Sequence, residues 1–146
     1  MTYQWKSGAR IKTDAAIAGA MLEKLEADGN LTAKGLLDAN RPADAPLHNE
    51  FEWDDTEAAE RWREQQARHI INSIVMSEPN REPVRLFFKI TAASPNYHSI
   101  DAILSRADTR GALLQQAYRE LEAFQKKYAQ LTELAAVFEA IQQATA

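Results

Sequence analysis

Cysteine is absent from all 146 residues. That excludes disulfides, thiolate catalysis and cysteine-ligated zinc, and it fits a reducing cytoplasm, the expected location. Glycine and proline are scarce, at five each. So little glycine gives poor material for a phosphate-cradling loop, and no G-x-x-x-x-G-K-[ST], G-x-G-x-x-G or G-x-S-x-G string occurs. No apolar run reaches the roughly eighteen residues a membrane-spanning helix needs. The opening MTYQWKSGARIKTD has no apolar stretch of the kind a secretory leader carries. The three histidines, His48, His69 and His98, fall on a loop, a helix and a loop, without HxxxH or HExxH spacing. Neither an enzyme nor a metal or other cofactor is expected.

What is present suits one ordinary domain, or a small domain with a long extension. The hydrophobic share is 45% and the mean hydropathy −0.46, enough for a core without a staple. Formal net charge is −4, which disfavours a general nucleic-acid coat but leaves room for a local basic patch. The charge is uneven. Residues 37–60 carry eight acids against Arg41, a net −7, whereas 61–89 carry six basic residues against three acids, a net +3. Lys6, Arg10 and Lys12 add a basic N-terminal arm, and residues 1–12 are expected as a short strand or an ordered arm.

Thr13 or Asp14 can cap a first helix over 14–28, with Ile17, Met21, Leu22 and Leu25 at helical spacing and Gly29 to end it. Thr32 can cap a second over 33–40, where Leu31 staples onto Leu36. Residues 41–53, with Pro42 and Pro46, read as a loop. A third helix is expected from 54 or 55 to 72, with Asp54, Asp55 and Glu57 at its positive end. Its apolar face should carry Ala58, Ala59, Trp62, Gln66 and Ile70, and its polar face Glu57, Glu60, Arg61, Glu64, Gln65 and Arg68. A β-hairpin should follow over 74–91, because Val84, Leu86, Phe88 and Ile90 alternate with Arg85, Phe87, Lys89 and Thr91. Ser99 can cap a short helix, SIDAILS. From Asp108 to about Gln143 there is no proline. Leu114, Ala117, Leu121, Phe124, Tyr128, Leu131, Ala135 and Phe138 step in an a/d register there, which predicts one coiled-coil-like helix roughly 50 Å long. The fold class is thus mainly α, with a helical domain and hairpin over 1–95. Over 96–146 a short helix and the long one serve packing or dimerisation.

The order of helix, helix, helix and hairpin over 14–91 resembles a winged helix-turn-helix, with 74–91 as the wing. That resemblance implies a third helix in the major groove and basic wing residues on phosphate. The chain departs from the motif in two ways: about a dozen residues separate helices two and three, and acids open the third helix. The strings APLHNEFEWDD, AAERWREQQAR and LQQAYRELEAFQKKYAQLTEL resemble a family of small phage- and prophage-encoded proteins, over most of residues 10–141. That likeness implies an intracellular accessory protein and assigns no functional residue.

The leading expectation is a non-enzymatic, phage-type DNA-binding or regulatory protein acting as an oligomer. Its nucleic-acid contacts would be Arg61, Arg63 and Arg68 on the third helix, Arg81, Arg85 and Lys89 on the hairpin, and Lys6, Arg10 and Lys12 on the arm. Leu114, Leu121, Phe124, Tyr128, Leu131 and Phe138 would join the copies. The alternative is a protein-binding adaptor or inhibitor that docks through the acidic-aromatic segment 46–57, with Phe51, Trp53, Asp54 and Asp55, in imitation of nucleic acid. The commoner role of such aromatics is to pin a loop to the core.

Overall fold

The computed structural model describes residues 2–54, 57–90 and 94–146. They divide into two compact units, one ending at Ala102 and one running from Ile103 to Ala146. Asp55, Thr56 and Thr91 fall outside the described residues, and with them the expected cap of the third helix and the expected end of the hairpin.

The chain is mainly helical with small antiparallel sheets. The first unit contains β1 (Thr2–Trp5), α1 (Ala15–Ala27), α2 (Ala33–Ala39), α3 (Glu57–Ser73), β2 (Ile74–Ser77), β3 (Val84–Arg85), β4 (Phe87–Phe88) and β5 (His98–Ser99). The short α4 (Ile100–Leu104) straddles the division. Helix starts follow the expected chemistry. Asp14 accepts from the Ala16 amide at 2.8 Å, Thr32 from Gly35 at 2.7 Å and Ser99 from Ala102 at 3.3 Å, each satisfying a donor that the helix itself leaves open. Leu31 and Leu36 are both buried, as a staple requires. Gly29 takes a φ of 74°, the left-handed conformation that ends α1.

The N-terminal segment is a strand. β1 lies antiparallel to β2, with Thr2 opposite Ser77 and Trp5 opposite Ile74, and β2 pairs on its other side with β3, giving the order β1-β2-β3. Tyr3 packs over Gly19 of α1, where any Cβ would collide with the ring. The expected hairpin is present but short, with Val75 opposite Arg85 and Met76 opposite Val84. Its second strand does not run on as one element. Leu86 and Phe87 are buried in succession, which breaks the period of two, and the Leu86 carbonyl accepts from Ile100 at 2.7 Å. The chain then re-pairs as β4 with β5.

The core joins Ala18 and Leu22 of α1, Leu36 and Leu37 of α2, Ala67, Ile70 and Ile71 of α3, and Leu47, Phe51, Phe87 and Tyr97 from the connections. The 41–53 loop is tied down by the buried Asn40. Its side-chain amide donates to the Leu36 carbonyl at 2.8 Å, its side-chain oxygen accepts from the Leu47 amide at 2.9 Å, and its backbone carbonyl lies 2.9 Å from His48 Nδ1.

The second unit corrects the expectation of one long helix. It holds α5 (Ala107–Lys127) and α6 (Ala135–Thr145), with a 3₁₀ turn over Thr132–Leu134 between them. The two helices pack on each other, and the Phe124 and Phe138 ring centroids are 6.3 Å apart. On an unbroken helix those residues would be roughly 21 Å apart along the axis. Contact between the apolar stripes outweighs helix continuity through 128–134.

Candidate nucleic-acid interface

Along α3 the side chains fall at about 100° per residue. Among its described side chains the buried set is Ala59, Arg63, Ala67, Ile70, Ile71 and Ser73. The helix is therefore turned by roughly a quarter from the apolar face read in the sequence, and Trp62, expected in the core, is 52% exposed. The side chain of Ala58, placed on that same face, is among those not described.

Arg63 causes the rotation. It is 4% exposed, Nη2 donates to the Asp54 carbonyl at 3.0 Å, Nε donates to the Glu52 carbonyl, and Nη1 pairs with Glu60 at 3.0 Å. Its guanidinium lies 4.9 Å from the centre of the Trp53 ring. The loop before α3 turns its carbonyls inward, and a planar fork of donors satisfies them where an apolar residue could not. Arg63 thus offers nothing to a phosphate.

Glu60 is held in turn by Arg41 and Arg63. The bond from Arg41, then that from Arg63, keeps its carboxyl below the ordinary value against the opposing effect of desolvation. On Asp38, desolvation acts upward, and the bonds from Lys34 and Arg41 outweigh it and leave that carboxyl lowered. Glu60 near the start of α3 and Asp38 in α2 are in this way partly neutralised within the fold.

Over 46–54 the large apolar and aromatic side chains pack inward while Pro46, Asn49, Glu52 and Asp54 stay exposed. Leu47 and Phe51 are buried. His48 and Trp53 stack with centroids 4.5 Å apart, and Trp53 Nε1 donates to the His48 carbonyl at 2.7 Å. The Glu50 carboxylate accepts from the Thr13 amide at 2.9 Å and the Thr13 hydroxyl at 2.6 Å, fastening the N-terminal arm. Asp54 is exposed, but its carbonyl is bound by Arg63; Asp55 is outside the described residues. Of the four docking candidates, Phe51 and Trp53 are core anchors.

The other face of α3 is exposed among the described residues. Arg61, Trp62, Gln65, Arg68 and His69 are all exposed, and with Asn72 they occupy an arc of roughly 120° that contains no carboxylate. Glu64 borders it, 3.5 Å from Arg68. Arg85 reaches the C-terminal end of the arc through a 2.8 Å bond to Asn72, while its Nε holds the Phe87 carbonyl and its plane lies over Phe88. Lys6 lies beside the same end, its amide donating to the Ser73 carbonyl at 2.7 Å. Arg10 lines a pocket with Trp62, Gln65, Gln66 and His69. Lys89 and Arg68 line another with Lys34, which the sequence reading did not single out. Lys12 is exposed, its amide on Glu50. Arg81 stands apart, paired with Glu78 at 3.5 Å and sharing a pocket with Glu78 and Glu82.

Sequence reasoning missed Trp62 and His69 as surface residues. The available signal was the series Ala59, Arg63, Ala67, Ile70, Ile74, whose small members allow close packing around one long polar side chain. In the second unit, Leu114, Leu121, Phe124, Tyr128 and Leu131 are exposed and Phe138 is partly covered; among the described residues of that unit only Ile103 and Ile141 are buried.

No protein-family model matches the chain, and neither a curated protein nor a solved structure does.

Proposed function

We propose that this is a non-enzymatic DNA-binding regulatory protein of phage or prophage type, which works through the exposed face of α3. The observation that carries the reading is the composition of that arc: Arg61, Trp62, Gln65, Arg68, His69 and Asn72, with Lys6 and Arg85 at one end and no acid within it. Arginine, glutamine and asparagine are the side chains that contact phosphates and base edges. In the winged-helix reading, α3 is the recognition helix and the short β2–β3 hairpin a reduced wing. Self-association through the exposed apolar face of α5 and α6 completes the proposal, because a pair of helices with Ile141 as its one buried side chain lacks a core of its own. The adaptor reading is weaker, since the aromatics of 46–57 are used inside the fold.

The test is fluorescence anisotropy with labelled DNA, as duplex and as single strand, at low and high salt. Binding should weaken as salt rises. Arg61→Glu and Arg68→Glu should each weaken it by roughly tenfold, because each replaces an attractive charge by a repulsive one. Failure of both DNA forms to bind at low salt, where attraction is strongest, would sink the proposal.

A further inference from the structure

The pocket beside α3 has a composition that a duplex-binding face does not need. It encloses about 440 Å³, within the range of small-ligand sites. Trp62, Ile11 and Ile70 supply its apolar surface, and Arg10, Glu50, Gln65, Gln66 and His69 are its polar lining residues. The site is built. The Lys12 amide, shared between both carboxylate oxygens, and the Thr13 amide and hydroxyl donate to Glu50, which fixes the arm that carries Arg10 and Ile11 and engages the Glu50 carboxylate. Gln66 gives its oxygen to the Glu52 amide, which leaves its own N–H groups available. His69 Nδ1 lies 3.3 Å from Ser73 Oγ, leaving Nε2. Among the described residues, Arg10 has no ion-pair partner.

An aromatic wall, aliphatic surface, amides able to donate and accept, and an uncommitted cation suit one chemical class: a flat heterocycle with hydrogen-bonding edges, joined to a phosphate. From this geometry we infer that the pocket receives a single unpaired nucleobase, stacked on Trp62 and bonded at its edge by Gln65 or Gln66, with its phosphate at Arg10. The inference rests on the nucleic-acid reading above but replaces its winged-helix duplex contact, since a base in a continuous duplex is stacked and paired and cannot enter. The protein therefore prefers single-stranded or locally opened DNA. Stacking on an aromatic side chain tolerates any base, so sequence selection would come from the amides and the rest of the arc.

The experiment compares a short labelled strand with its matched duplex by anisotropy at low salt, for the wild type, Trp62→Ala and Trp62→Phe. Trp62 is half exposed, so neither change should disturb folding, and unchanged urea midpoints check that. The strand should bind about tenfold more tightly than the duplex; Trp62→Ala should remove that margin and Trp62→Phe keep most of it. Equal binding of strand and duplex, unaffected by Trp62→Ala, overturns the base pocket and leaves the DNA-binding proposal intact. No binding of either form overturns both.

Discussion

Arg63 and Trp62 are neighbours in sequence with exchanged roles, and the exchange defines the surface of α3. A helical wheel drawn from hydrophobicity puts tryptophan inward and arginine outward. The structure does the reverse because the carbonyls of Glu52 and Asp54 need donors, and those carbonyls come from a loop whose path the wheel does not contain. Asn40 shows the same principle at the other end of that loop, where its amide substitutes for missing backbone partners. Buried polar side chains that serve loops are hard to find in sequence, since their need arises only when the chain is folded. Replacing Arg63 should therefore affect stability first. Arg63→Ala should cost about 3 kcal/mol, by leaving two carbonyls without their donor and Glu60 with Arg41 alone. Arg63→Lys should recover only part, as an ammonium cannot span three acceptors held for a planar fork. Urea denaturation measures both. A stable Arg63→Ala protein that has lost DNA affinity would instead return Arg63 to the binding face.

At the scale of elements, the features legible in the sequence were those made by neighbours. Asp14, Thr32 and Ser99 cap the helices they precede, and the Leu31–Leu36 staple closes, because each needs only residues within one turn. The pairing of β1 with β2 was not legible, since it joins residues about seventy positions apart. The break between α5 and α6 left no signal either: 128–134 contains neither glycine nor proline, and the a/d register runs straight through it. The α2–α3 arrangement is held by another contact distant in sequence, the ion pair of Glu60 with Arg41, and Glu60 also pairs with Arg63 one turn along α3. This cluster gives a pH prediction. Glu60 has a folded-state pKa below its ordinary 4.5, so it binds fewer protons folded than unfolded. Its contribution is complete above 4.5 and is lost as pH falls through the depressed folded value. Asp38 acts in the same direction from its ordinary 3.8. The urea midpoint should thus decline on acidification below about 4.5, and Glu60→Gln should make that decline shallower while leaving the Asp38 part. An identical pH profile for Glu60→Gln would show that the ion pairs are too well solvated to matter.

For the whole molecule, the balance of charge and apolar surface bears on association. A net charge of −4 opposes binding to DNA at long range, so a basic arc must act locally and at modest salt. Two arcs on two joined copies would double the contacts without changing the charge of either chain, which makes self-association an economical route to affinity. The second unit has the surface for it. Leu114 on α5 is 48% exposed, Leu131 in the connection 47% and Val137 on α6 46%, and exposed apolar side chains of this kind cover one another in a bundle of helix pairs. Phe124 is a poor probe of this, because its ring also packs against Tyr128 and Phe138 between α5 and α6. Leu114 has no such second role, so Leu114→Glu should dissociate the oligomer while helix content by circular dichroism stays the same. Light scattering over a concentration series should show the wild type larger than one chain and the variant as a single chain. DNA affinity of the variant should fall with its loss of the second arc, and most steeply where the wild type is fully associated. A wild type that remains a single chain throughout the series would overturn the self-association proposal and leave any DNA contact to a single arc.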